Sequence, residues 1–156
     1  MTRSAGEGRL SLFEYAGGTT AFQALALALH ERCLADPVLN HPFSHPGQHP
    51  EHVQRLGTYL AEVFGGPPAY SQTCGTHFGM LDLHARQGAD DDLGDRFVRC
   101  FVLACDDADL PADPEFRAAL RAYMTWAASD VMQYSPPHSK VPANVRMPHW
   151  TWEGPT

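Results

Sequence analysis

The chain has 156 residues, 44 % apolar and 19 % charged, which suits one domain around one hydrophobic core rather than a disordered polymer. A formal charge of -7, with Lys140 the single lysine and the arginines scattered, argues against a nucleic-acid or anionic-membrane partner, because phosphate binding rests on clustered cations. The longest apolar stretch, Ala24 to Leu29, cannot span a bilayer and Met1 to Arg9 lacks a signal-peptide core, so a cytoplasmic location is expected.

Apolar spacing predicts four helices in chain order. The first spans about Thr19 to Leu34, with Phe22, Ala26, Leu29 and Cys33 on one stripe. Gly17-Gly18 breaks the chain before it, Thr19 or Thr20 is expected to cap it, and Asp36-Pro37 to end it. The second runs from about Pro50 to Phe64, placing His52, Leu56, Tyr59, Leu60 and Val63 at helical spacing. Pro50 suits its first turn and Gly65-Gly66-Pro67 is its stop.

The third helix opens in the acidic run Asp90 to Asp92, which favours the positive end of the helix dipole, and continues to about Asp106 through Leu93, Phe97, Phe101 and Ala104. The fourth opens at Asp113-Pro114-Glu115 and carries Phe116, Leu120, Tyr123, Met124, Ala127 and Val131 on its apolar side. No comparable alternating run supports a strand, so the class is all-α. Residues 65–90 are glycine-rich and poor in helical period, and a stretch of that kind inside a compact domain suggests that it wraps something. Residues 135–156, rich in proline and aromatic groups, are expected to drape over the surface as a tail to a single domain, 1–156, whose core lies at about 13–134.

Cys33, Cys74, Cys100 and Cys105 form no CxxC pair and are expected to be free thiols, with Cys33 and Cys100 serving as small buried hydrophobes. The nine histidines fall into sets. His84 follows Met80, Leu81 and Leu83; an imidazole in such apolar company is either a hydrogen-bonded core residue or an axial ligand for haem iron. His30 and His52 lie on apolar stripes of two different helices, where backbone carbonyls, water, a metal or a guest could satisfy them. His41, His45, His49 and His52 have spacings that invite a zinc reading, but Pro42, Pro46 and Pro50 favour an exposed loop. Cys74 and His77 make a weaker metal pair.

The order of features resembles the truncated haemoglobins, particularly their second group and its actinobacterial type. Gly17-Gly18, Ala35-Asp36-Pro37, Phe43, Gly65-Gly66-Pro67, Tyr70-Ser71, Gly75, His84-Ala85 and Phe97-Val98-Arg99-Cys100 carry the likeness over most of residues 13–134. Met147-Pro148-His149-Trp150 resembles the tail of some actinobacterial members.

The resemblance implies two helices packed over two others around a haem b, with His84 as proximal iron ligand. It also implies Phe43 on the porphyrin face, Tyr70 and Met80 at the cofactor, His30 and His52 as distal residues, Leu56 and Phe97 in the distal wall, and Arg55 at a propionate. This chain departs from the family at His30, where a tyrosine is usual, at Phe97, where the second group has tryptophan, and at Arg86-Gln87, where Pro-Phe is common.

The implied function is binding of a diatomic ligand (oxygen, nitric oxide or carbon monoxide), with oxygen binding or oxygen/nitric-oxide detoxification as its role, which would make the chain a nitric oxide dioxygenase served by a reductase. Peroxidase-like chemistry or bis-histidyl electron transfer are alternatives, as is a haem-free zinc-binding helical module. A monomer or homodimer is expected.

Overall fold

The computed structural model describes residues 9–40, 50–86 and 91–156. The described elements are α1 (Leu12–Ala16), α2 (Thr19–Ala35), α3 (His52–Val63), α4 (Ala69–Thr73), α5 (His77–His84), α6 (Asp91–Asp107) and α7 (Pro114–Met132), then β1 (Trp150–Thr151) paired antiparallel with β2 (Gly154–Pro155). The four helices expected from apolar spacing are α2, α3, α6 and α7.

Local polar chemistry sets their ends. Ser11 caps α1, accepting the Glu14 N–H at 3.1 Å while its hydroxyl donates to the Glu14 carboxylate at 3.2 Å. Gly17 and Gly18 follow with φ of +120° and +81°, a reversal that side chains would strain. Gly18, not Thr19 or Thr20, occupies the N-cap position of α2, because this positive-φ backbone turns the chain directly into the helix. Asp36 ends α2 as expected, and its carboxylate accepts the N–H groups of Val38 and Leu39 at 2.8 and 3.0 Å. Pro50 stands in a turn ahead of α3 rather than in its first turn, with Glu51 at the N-cap position. Asp113 caps α7 by accepting from Glu115 N and Phe116 N, with Pro114 in the first turn.

Helix α2 packs on α3 and α6, and α6 on α7. α2 and α3 run in opposite directions, so Gln23 lies against Gly57 and His30 beside His52. A Cβ at Gly57 would fall 2.7 Å from the Gln23 carboxamide, which instead reaches the Gln54 carbonyl at 3.2 Å. Arg32 clamps α2 to α6 through two hydrogen bonds to Asp107 of 2.6 and 2.8 Å. Phe64 joins the two helix pairs, stacking on Phe22 at 5.5 Å and meeting Tyr123 edge-on at 5.0 Å. All three rings are buried, and each such side chain contributes about 1.5–3 kcal/mol by leaving water.

Segment 65–90 is more helical than its glycine content suggests, since α4 and α5 lie within it. Thr76 opens α5 by accepting the Gly79 N–H at 3.0 Å, and Glu62 of α3 accepts the Ser71 N–H of α4 at 2.9 Å. Both devices are polar, so apolar periodicity does not register them. The tail holds no helix, but it is not merely draped: Trp150 is buried in the main core beside Tyr123. Trp152 packs edge-on to Tyr15 and lies under the Arg9 guanidinium, 3.6 Å from the ring centroid. Among the described residues no helix is long and apolar enough to cross a membrane.

Candidate functional site

His84 is the last residue of α5 and is exposed in the polypeptide. Its Nδ1–H donates to the Met80 carbonyl one turn earlier, at 2.7 Å. That bond fixes the tautomer and ring orientation and leaves the Nε2 lone pair as the basic site, which is the preparation a metal-ligating histidine needs. Met80 itself is half-buried.

His30 of α2 and His52, the first residue of α3, come together with ring centroids 5.7 Å apart and planes inclined by 60°. Both are half-buried, as are Leu56 on α3 and Phe97 on α6, which pack against the core with part of their surface uncovered. Phe43 lies outside the described residues, as do His41, His45 and His49 of the zinc reading. Arg55 is half-buried and donates from Nη2 to the Cys74 carbonyl at 3.0 Å, tying α3 to the end of α4. Tyr70 is buried edge-on against Tyr59 at 5.0 Å, so it stands in the core where α4 meets α3.

One arrangement was not anticipated from sequence. The Tyr59 hydroxyl donates to Nδ1 of His77 at 2.8 Å, and His77 Nε2–H points to Asp130 Oδ2 on α7 at 3.4 Å. Burial holds His77 below the ordinary imidazole range and outweighs the pull of Asp130, so near neutral pH this is a neutral imidazole bonded to a carboxylate rather than an ion pair. Tyr123 of α7 lies in the same buried core as Tyr59. Burial pushes both phenols well above the usual range. The available signal was spacing: Tyr59 lies two turns after His52 on α3, and His77 two turns before His84 on α5.

With both ring nitrogens engaged, His77 has none to share with Cys74, which removes that metal pair. Among the described residues no group of three or more His, Cys, Asp and Glu side chains could hold a metal ion. All four cysteines are free; burial raises the thiols of Cys33 and Cys100 and pushes that of Cys105 up to about 12.

These residues fit a haem. A histidine with a fixed tautomer and an available Nε2, together with the incompletely covered apolar side chains Leu56, Met80 and Phe97, suits a flat apolar cofactor carrying iron.

Solved haemoglobins share the fold. A group II truncated haemoglobin from Bacillus anthracis superposes with a TM-score of 0.68 at 19 % identity, covering 80 % of this chain and 92 % of its own. The haemoglobin of Chloroflexus aurantiacus gives 0.67 at 24 % identity, covering 79 % of this chain and 98 % of its own. A thermostable haemoglobin from the actinobacterium Thermobifida fusca gives 0.63 at 29 % identity, over 87 % of this chain and all of its own. No curated protein sequence matches. The family model described as bacterial-like globin matches residues 11–132, most of the chain, and the protein accordingly belongs to the bacterial-like globins, with a truncated globin fold and haem as its cofactor.

Proposed function

We propose that His84 holds the iron of a haem b through Nε2, and that the protein binds oxygen or nitric oxide beside His30 and His52, as an oxygen-binding or oxygen/nitric-oxide detoxifying globin. The observation that carries this reading is the 2.7 Å bond from His84 Nδ1 to the Met80 carbonyl, which readies the opposite nitrogen for a metal. When bound, haem supplies an iron site for a diatomic ligand and for one-electron chemistry. The polypeptide supplies the rest. Leu56, Met80, Phe97 and Phe43 are assigned to cover the porphyrin and keep water from it. His30 and His52 provide N–H donors to the guest in place of the tyrosine usual at His30, while Phe97 provides none. Arg55, with one nitrogen on Cys74, is assigned to a propionate through its remaining N–H groups, and Tyr70 to the rim of the site from within the core. A cytoplasmic reductase partner belongs to the detoxifying role.

Absorption spectra of the haem-loaded protein in ferric, ferrous and carbon-monoxide forms test the assignment. The expected result is one haem per chain in the wild type and loss of the proximal-histidine spectrum in His84→Ala. An unchanged spectrum in His84→Ala, or zinc without iron on metal analysis, overturns it. The closeness of His30 and His52 favours a second reading, in which one of them takes the other axial position of the iron and the protein transfers electrons. A six-coordinate low-spin ferric spectrum without added ligand, lost in His52→Ala or His30→Ala, would select that reading over gas binding. Peroxide-dependent oxidation lost in the same variants would select peroxidase-like chemistry.

A further inference from the structure

Helix α5 has eight residues, and His84 is the last of them. The end of so short a helix frays unless groups outside it engage its final carbonyls. Arg86 does this here. Its φ of +60° is left-handed, a conformation that an arginine keeps only where its surroundings hold it. Four hydrogen bonds to described residues do so. The Arg86 N–H donates to the Tyr134 carbonyl at 2.7 Å, and Nη1 donates to the Ser139 carbonyl at 3.1 Å. Nη2 turns back into the last turn of α5, donating to the Asp82 carboxylate at 2.8 Å and to the Asp82 carbonyl at 3.3 Å.

The tail side of this bridge is itself fixed. The Tyr134 N–H donates to the Val131 carbonyl at the end of α7 at 3.2 Å, and the Ser139 N–H closes a turn onto the Pro136 carbonyl at 3.1 Å. Beneath the bridge, Leu81 and Ala85 are buried with Val141 in a small apolar cluster, against which Met80, Val131 and Tyr134 pack. Met80 is the residue whose carbonyl orients the His84 ring, so the same cluster that Arg86 clamps supports that orientation.

We propose that Arg86 is a positioning residue for the iron ligand: it bridges the last turn of α5 to the tail at Tyr134 and Ser139, and so holds the His84 ring at one angle to the haem. This rests on His84 holding the iron, as argued above. The effect is one of geometry rather than of charge, because both partners of the Arg86–Asp82 pair are more than a third exposed and such pairs are worth little by attraction alone. Two links act in series. The Met80 carbonyl fixes the ring relative to α5, and Arg86 fixes the end of α5 relative to the tail. Removing groups that orient a metal-bound histidine changes affinity by about 10–100-fold. Without the bridge, the last turn of α5 frays and His84 meets the iron over a range of angles.

The test is resonance Raman spectroscopy of the five-coordinate ferrous haem made by photolysing the carbon-monoxide complex, which reads the iron–histidine stretching band. Haem loss to excess apomyoglobin is timed on the same samples. Arg86→Gly keeps the left-handed backbone and the bond to Tyr134 but removes the guanidinium, and Asp82→Asn removes only the charged acceptor. The expected result is one sharp band in the wild type and a broadened, downshifted band in Arg86→Gly, with haem lost about tenfold faster. Asp82→Asn should change both readouts in the same direction by less, and it decides the matter if Arg86→Gly does not load haem. Arg117→Ala removes a comparable clamp, on Asp106 and the Pro111 and Leu110 carbonyls, and should lower stability while leaving the band in place. A band and a haem-loss rate unchanged in Arg86→Gly and Asp82→Asn, or moved equally in Arg117→Ala, overturn the positioning role and leave ligation by His84 standing. A wild type with no iron–histidine band overturns both.

Discussion

The hydroxyl of Tyr59 lies 2.8 Å from Nδ1 of His77, and this one buried bond joins the helix that begins at His52 to the helix that ends at His84. Two turns of backbone separate each partner from the histidine on its own helix, so the bond sets the spacing between the two sides of the candidate site through rigid elements. Asp130 extends the tie to α7.

Removing the donor alone tests how much this tie matters. Tyr59→Phe keeps the ring but leaves His77 Nδ1 a buried acceptor without its proton donor, which costs about 1–3 kcal/mol. Urea denaturation at neutral pH should show the midpoint falling without a change in slope. An unchanged midpoint would mean the bond adds nothing.

The same imidazole makes stability depend on pH in a defined direction. His77 titrates below its unfolded value of 6.5 because it is buried, so the unfolded chain binds the proton more tightly than the folded one. Its contribution is complete above the unfolded value and declines as pH falls through 6.5 and on through the lower folded value. Asp130 on α7 and Tyr59 on α3 are the groups facing it, and neither reverses the sign. The carboxylates held low, Asp36 and Asp107, lose their contribution only as pH falls below 3.8, a separate window. Thermal melts from about pH 7 to about pH 5 should show Tm falling in the wild type, with a shallower fall in His77→Gln. Equal slopes in the two proteins would contradict it.

Thiol reactivity should single out Cys74. Cys33, Cys100 and Cys105 are buried with raised thiols, while Cys74 is half-buried at the end of α4. A disulfide reagent on the folded protein should label one thiol quickly, and Cys74→Ser should remove that phase. Two fast thiols, or a fast phase that survives in Cys74→Ser, would show that burial does not control reactivity here.

Trp150 tests whether the tail belongs to the fold. It is 7 % exposed and packs on Tyr123 and Trp126, so Trp150→Ala should cost about 3–5 kcal/mol, as for other buried aromatic truncations. Trp152→Ala, at the half-exposed contact with Tyr15 and Arg9, should cost less. A Trp150→Ala loss below about 1 kcal/mol would make the tail an appendage.

The four long helices, the stops at Gly17-Gly18 and Asp36, the Asp113 cap and the free thiols were legible in sequence, because each depends on residues within a turn or two of one another, whereas α1, α4 and α5 were not. His84 could be singled out only by the order of motifs around it, since its own neighbours suit a core histidine equally well. Tertiary structure decided what depends on residues distant in the chain. It turned the His84 ring onto the Met80 carbonyl, set His30 beside His52, buried Trp150 in the core, and assembled Tyr59, His77 and Asp130 from three helices. Periodicity records which face of a helix is apolar, but not which polar groups on other elements will complete a buried hydrogen bond. That is settled only when the helices pack and each buried donor must find its acceptor.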